Sequence, residues 1–411
     1  MPAGPAPLCL RPRGVVRGAV LTLVFAGVLA TGAATGALPR EDDGAGREPR
    51  AGAGDRTAFD RAALHRFAAE AAADGKSGKQ AAEEFVSRSG DRWGAVYDRR
   101  EYAEFEQSLD GVYTGVGLSA GTTGGAPGRT GAAAGRDGGR APSGADGGVR
   151  VTRVRPGGPA ERAGVRVGDR LLAVDGRATD GQSVSEVVSL LRGDGVPGST
   201  VALRVRRGGM TWTQTLRRER LATDPVTVIR PDARTVVIRI AAFSKGVGAR
   251  VREAVRTAPA GAGVLLDLRG NSGGLVDEAA SAASAFLDGG LVATYDVEGE
   301  QRALYAERGG DTGRPLVALV DGGTMSAAEL LTGALQDRGR AVTVGSKTFG
   351  KGSVQMPSTL PDGSVAELTV GHYRTPAGHE VDGRGIAPDL PAGEGAEERA
   401  RTVLSGLGGG S

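Results

Sequence analysis

The sequence predicts an α/β protein, and three observations carry that prediction. After Pro225, apolar runs alternate with stretches of helical spacing: TVVIRI, GVGARVREAV, GVLLDLRG, EAASAASAFL, PLVALV, SAAELLTGALQD and AVTVG. Near-continuous apolar strands separated by helices are the pattern of a mostly parallel sheet covered on both faces. Upstream, VRVTRV (149–154) and STVALRVRRGG (199–209) alternate apolar and polar residues, as half-buried strands of a smaller domain do. Residues 57–110 show helical spacing instead, with Phe59, Leu64, Phe67, Ala68 and Ala71 on one stripe and EYAEFEQSL repeating it.

The remaining segments follow in order. Arg11, Arg13 and Arg17 precede GAVLTLVFAGVLATGAATGAL, an uncharged run that makes residues 1–38 a signal peptide or an N-terminal membrane anchor. Either one sends the rest of the chain out of the cytoplasm, secreted or anchored in the cell envelope. Residues 39–56 form a charged, glycine-rich linker. The smaller domain occupies 111–210: a glycine-rich turn GVYTGVGL, the strand at 149–154, a turn, short helix and strand through PGGPAERAGVRVGDRLLAVDG, the helix SVSEVVSLLRG and the strand at 199–209. It is interrupted at 120–148 by a stretch without a large apolar side chain, read as a flexible insertion. The α/β core spans 219–392, and 393–411 reads as a C-terminal tail.

Composition excludes several functions. The 51 basic and 48 acidic residues are mixed along the chain, leaving no basic stripe for nucleic acid. The single cysteine, Cys9, precedes the apolar run, so no intrachain disulfide forms. Neither a histidine pair nor a cysteine cluster is spaced for a metal site. Of three histidines, His65 is expected on a helix surface, and His372 and His379 flank a strand–turn element without a recognisable partner.

Lysine is scarce in this arginine-rich chain, occurring only at 76, 79, 245, 347 and 351. Arginine is never deprotonated, whereas a desolvated lysine becomes neutral and acts as a base. Around Lys351, GSKTFGKG nearly matches a phosphate-binding loop. However, Gly352 replaces the magnesium-binding hydroxyl, and SVQMPSTLPDG does not continue as a helix. A base needs a nucleophile, and DGGTMSAAELL places Ser326 between a glycine turn and a helix. Ser326-Ala-Ala-Glu329 is also a capping box, and a serine there is commonly only a cap. The same position nevertheless sits among free helix N–H groups that favour negative charge. A serine–lysine pair needs no histidine. DLRGNSGGL ends an apolar strand, and its glycines let backbone amides approach a ligand closely.

In order along the chain, LLDLRGNSGGLVDEA, GTMSAAELLTGALQDRGRAVTVGSKTFGKGSVQ and LTVGHYRTPAGHEVDGRGIAPD resemble the carboxyl-terminal processing proteases. These are the tail-specific serine peptidases of family S41. The resemblance covers roughly 57–392 and implies a core like that of the ClpP/crotonase superfamily, with an inserted PDZ domain. It implies Ser326 as nucleophile, Lys351 as general base, Gln355 as the group orienting the lysine, and an oxyanion hole from Ala327 and one of Gly273 and Gly274. Four extended residues would hold Lys351 and Gln355 about 13 Å apart, so a bend near Gly352 is expected. In the PDZ domain, Tyr113, Thr114, Gly115, Val116, Gly117 and Leu118 match the carboxylate-binding loop, implying substrates with free C-termini and no cofactor. Arg192, at the end of the following helix, is expected to couple peptide binding to catalysis. The sequence departs from the family in the 120–148 insertion and in NSGG where many relatives have NPGG. A PDZ binding module on an inactive core is the alternative function.

Overall fold

The computed structural model describes residues 61–408 except 76, 123–147 and 298–299. The expected leader, the linker and nearly all of the insertion lie outside the described residues. No helix among the described residues is long and apolar enough to cross a membrane.

The N-terminal segment forms α1 (Arg61–Ala73), α2 (Gly78–Ser89), β1 (Ala95–Tyr97) and α3 (Arg99–Leu109). Asp98 starts α3 with a complete capping box to Glu101, each half satisfying an otherwise orphan helix N–H. Of the expected stripe, Leu64, Ala68 and Ala71 are buried and Phe67 is half-buried. Leu64 and Ala68 pack with Ala82, Val86, Leu360, Ala366 and Leu368, which fixes this segment to the core. His65 is not a surface residue. It is half-buried, with Nε2 2.9 Å from the Ser358 hydroxyl, because one side of α1 is the packing face.

The smaller domain comprises β2 (Val112–Gly115), β3 (Leu118–Thr122), β4 (Val149–Val154), α4 (Pro159–Arg162), β5 (Arg170–Val174), β6 (Arg177–Ala178), α5 (Val184–Arg192), β7 (Thr200–Arg207), β8 (Met210–Arg217) and β9 (Glu219–Ala222). Its sheet runs β3-β4-β5-β7-β8 and leaves β3 at an edge. Val151, Leu171, Val187, Leu203 and Leu216 lie in its own core.

The larger domain contains β10 (Val226–Asp232), β11 (Thr235–Ile240), α6 (Val247–Arg256), β12 (Gly263–Asp267), α7 (Val276–Ala283), β13 (Leu291–Val297), β14 (Glu300–Tyr305), β15 (Leu316–Val320), α8 (Ala327–Asp337), β16 (Val342–Gly345), β17 (Ser353–Thr359), β18 (Val365–Arg374), β19 (Leu390–Pro391) and α9 (Ala396–Gly408). The order β10-β11-β12-β15-β16-β19 is parallel except for the first pair. Alternate residues serve opposite faces, as strand geometry requires. Ile238, Leu266 and Ala318 pack under α6, α7 and α8, while Val237, Leu265 and Leu319 pack under α9. The expected C-terminal tail is therefore a helix. Ala396, Ala400 and Leu404 recur every four residues and cover the sheet's second face, a stripe obscured in the sequence by flanking glycines. A second, antiparallel sheet joins β1, β18, β13 and β14, with β17 on β18.

Candidate active site

Parallel pairing of β12 with β15 (Leu266 with Ala318, Asp267 with Leu319) brings the loops at their carboxyl ends side by side. Polar contacts lock them. Asp321 Oδ1 accepts from the Gly270 and Gly323 amides, each at 2.9 Å. Thr324 Oγ1 donates to the Leu268 carbonyl at 3.0 Å, and the Met325 amide donates to the Asn271 carbonyl at 2.9 Å.

Ser326 follows that turn at φ 57°, ψ −120°, one of two non-glycine residues with positive φ among those described. Such a conformation costs on the order of 1–3 kcal/mol and persists only where the surroundings enforce it. Ser326 stands at the N-cap position of α8, and Glu329 accepts from its amide at 2.9 Å. Yet the Ser326 Oγ is buried and makes no hydrogen bond. A serine placed only to cap would spend its hydroxyl on the helix.

The loop carrying Lys351 is tied to the same glutamate. Glu329 Oε1 accepts from the Thr348 hydroxyl at 2.5 Å and the Gly350 amide at 2.8 Å, and Oε2 accepts from the Lys351 amide at 2.9 Å. The Tyr373 hydroxyl closes a second bridge, 2.9 Å from the Ser326 carbonyl and 3.0 Å from that of Lys351. The amides that a phosphate loop would offer to a nucleotide here hold the protein's own carboxylate, and Ser353–Thr359 continues as a strand. The nucleotide reading is thereby excluded. Burial raises the pKa of Glu329, against the four hydrogen bonds that favour its ionised form.

Lys351 is 2% exposed. Burial lowers its pKa from 10.5 to about 7, against the pull of Glu367, Asp91, Asp382 and Glu329. The Trp93 ring from the N-terminal segment lies 5.3 Å from its Nζ and donates its indole N–H to Asp382 at 3.1 Å. Asp91, from the same turn, accepts from the Thr369 amide and hydroxyl at 2.8 and 2.7 Å. Glu367 is fully buried with neither carboxylate oxygen hydrogen-bonded, and burial raises its pKa to about 8.

Gln355 does not make the expected bond to the lysine. Its Nε2 donates to the Ser353 hydroxyl at 3.0 Å and lies 3.4 Å from Thr369 Oγ1, while its buried Oε1 accepts nothing. The expected bend is centred later than Gly352, as a register shift between Val354 and Gln355. Of the two glycines, the Gly273 amide donates to Asn271 Oδ1 at 2.9 Å, whereas the amides of Gly274 and Ala327 make no hydrogen bond. Gly273 lies so close that a Cβ there would meet the Ser326 Cβ at 2.9 Å, and its φ of 99° also favours glycine. No histidine hydrogen-bonds Ser326; His379 and His372 face Asp337 and Asp382.

In the smaller domain, Tyr113, Thr114 and Gly115 belong to β2 and pair with Leu221, Arg220 and Glu219. In the turn that follows, the Val116 and Gly117 amides make no hydrogen bond among the described residues. Gly117 turns there with φ 76°. Arg192 is exposed at the end of α5, and its side chain has no hydrogen bond or ion pair among the described residues.

Sequence reasoning missed Asn271, Tyr373, Glu367 and the wider role of Glu329. Each acts across the fold, and only the SAAE spacing signalled one of them.

Comparison with known proteins gives the family. Residues 234–392 match peptidase family S41, and 150–207 match a PDZ domain. The chain is 33% identical over 304 residues to carboxyl-terminal-processing peptidase 2, chloroplastic, of Arabidopsis thaliana, covering 71% of this chain and 56% of that one. It is 39% identical over 243 residues to the carboxyl-terminal-processing protease of Synechocystis, covering 57% and 56%. A solved photosystem II D1 C-terminal processing protease aligns at 30% identity over 81% of this chain and 86% of that one, with a TM-score of 0.47. The chain spans little more than half the length of the curated relatives it matches. A PDZ domain joined in one chain to a peptidase-family domain defines a PDZ-bearing member of a peptidase family. The chain belongs to peptidase family S41.

Proposed function

We propose that the protein is an exported endopeptidase that cuts other proteins near their C-termini, using Ser326 and Lys351. The observation that carries this reading is a fully buried lysine whose pKa lies at about 7, on a loop bound to the same glutamate as a strained, unengaged serine. Neutral Lys351 takes the Ser326 Oγ proton as Oγ attacks the peptide carbonyl. The amides of Ala327 and Gly274 receive the developing oxyanion, assisted by the N-terminus of α8. The protonated lysine then gives its proton to the leaving amine, and water releases the acyl group by the same route. Gln355 orients the lysine, its unpaired Oε1 accepting from the ammonium when Lys351 carries the proton. The PDZ groove holds the substrate's terminal carboxylate on the Val116 and Gly117 amides. The charged and apolar N-terminal stretch supports export, with the membrane as a partner if that stretch is retained.

The test is incubation of the full chain with a fluorophosphonate and a protein substrate. The reading expects an adduct mapping to Ser326 and cleavage that Ser326→Ala abolishes. Cleavage that persists in Ser326→Ala would refute it; a binding module on an inactive core would give neither adduct nor cleavage.

A further inference from the structure

The groove beside β3 encloses about 940 Å³ and is lined by Leu118, Ser119, Val188 and Leu191 among others. Its charge is one-sided. Among the described residues, Arg153, Arg155, Arg192 and Arg250 line it against a single acid, Asp224. Arg250 pairs with Asp224, and Arg155 reaches the Ala222 carbonyl. Arg153 and Arg192 are exposed, and their side chains have no hydrogen bond or ion pair among the described residues.

The register places these arginines relative to a bound strand. Ser119 on β3 stands opposite Arg153 on β4, so both side chains leave the same face, while neighbouring Leu118 packs against the domain core. A peptide adding to the free edge of β3 alternates its side chains between the two faces. Its terminal side chain goes toward Leu118, Val188 and Leu191, and the one before it toward Ser119 and Arg153. Arg192, at the end of α5, adds positive potential to the groove lining.

We propose that this groove selects C-terminal tails ending in an apolar residue preceded by an acidic one, with Arg153 as the main reader of the acid. The proposal rests on the groove being the tail-binding site. An exposed arginine–carboxylate pair is worth a modest gain, so discrimination is a few-fold and falls with salt.

The experiment measures binding of fluorescent peptides to the full-length Ser326→Ala protein. Four tails are matched except at the end: penultimate Asp, Ala or Lys with a free carboxylate, and penultimate Asp with an amidated terminus. The expected order is Asp, Ala, Lys, with about threefold to fivefold between Asp and Ala at low salt, and Arg153→Glu reverses it. Equal affinity of the three carboxylate peptides, with the amide still weak, overturns acidic selection and leaves the groove reading standing. Equal affinity of all four overturns both.

Discussion

Two short glycine-bearing loops in this protein present backbone donors, and they differ in what those donors meet. In the loop at 348–351, the Thr348 hydroxyl and the Gly350 and Lys351 amides converge on the carboxylate of Glu329. In the loop at 115–118, the Val116 and Gly117 amides make no hydrogen bond among the described residues and line a groove of about 940 Å³. The first is an anion-binding concavity of the kind successive amides make, and the proposed function gives the second the same role. The filled one serves rigidity: the anion is a side chain of the serine's own helix, so filling it fixes the lysine loop to Ser326. Under the proposed function the open one serves recognition, because its anion must arrive with a ligand. A glycine-rich loop read from sequence thus does not by itself announce a ligand site.

The largest expected effect breaks the filled side at its functional end. Lys351→Arg keeps the charge but cannot become neutral, so it should lose turnover as fully as Lys351→Ala, by about 10²–10⁴-fold in kcat/KM. Substantial activity in Lys351→Arg would remove Lys351 as the base. Next, Glu329→Gln replaces an acceptor-only anion with a side chain that must turn a donor toward at least one of its four donors. A misplaced base costs about tenfold to a hundredfold. The loss should fall in kcat with KM little changed, and chemical denaturation should show a stability loss of about 1–3 kcal/mol. An unchanged kcat would mean that the filled nest holds the loop without aiming it. The smallest effect tests the open side. Amidating a peptide substrate's C-terminus should raise KM about tenfold, leaving kcat nearly intact, since one hydrogen-bonded charge is lost at binding. Equal KM values for the two forms would erase the contrast between the loops.

How much of this was legible in the sequence follows from the range of the interactions. Strands such as Val149–Val154 and helices such as Val184–Arg192 carry their period locally and were readable to within a residue or two. Ser326 and Lys351 stood out by position and by residue scarcity. Glu329 was legible as a helix cap because Ser326 is three residues away, but its hold on Lys351 spans 22 residues and depends on how β15, β16 and β17 are arranged. Asn271, which engages the Gly273 amide and leaves that of Gly274, needed the loop in three dimensions. Glu367 gave no signal at all: in sequence it is one polar residue of an alternating strand, and its neighbours Tyr97, Tyr102 and Glu106 come from the N-terminal segment.

The central claim is that burial holds Lys351 neutral near physiological pH beside a reactive serine. It is tested most directly by the pH dependence of Ser326 labelling with a fluorophosphonate, followed by intact mass. With its pKa at about 7, Lys351 is protonated below that value and neutral above it. The labelling rate should rise tenfold per pH unit below 7, level off above about 8, and vanish in Lys351→Met. A rate that keeps rising toward the ordinary lysine value of 10.5, or one that survives in Lys351→Met, would contradict the account.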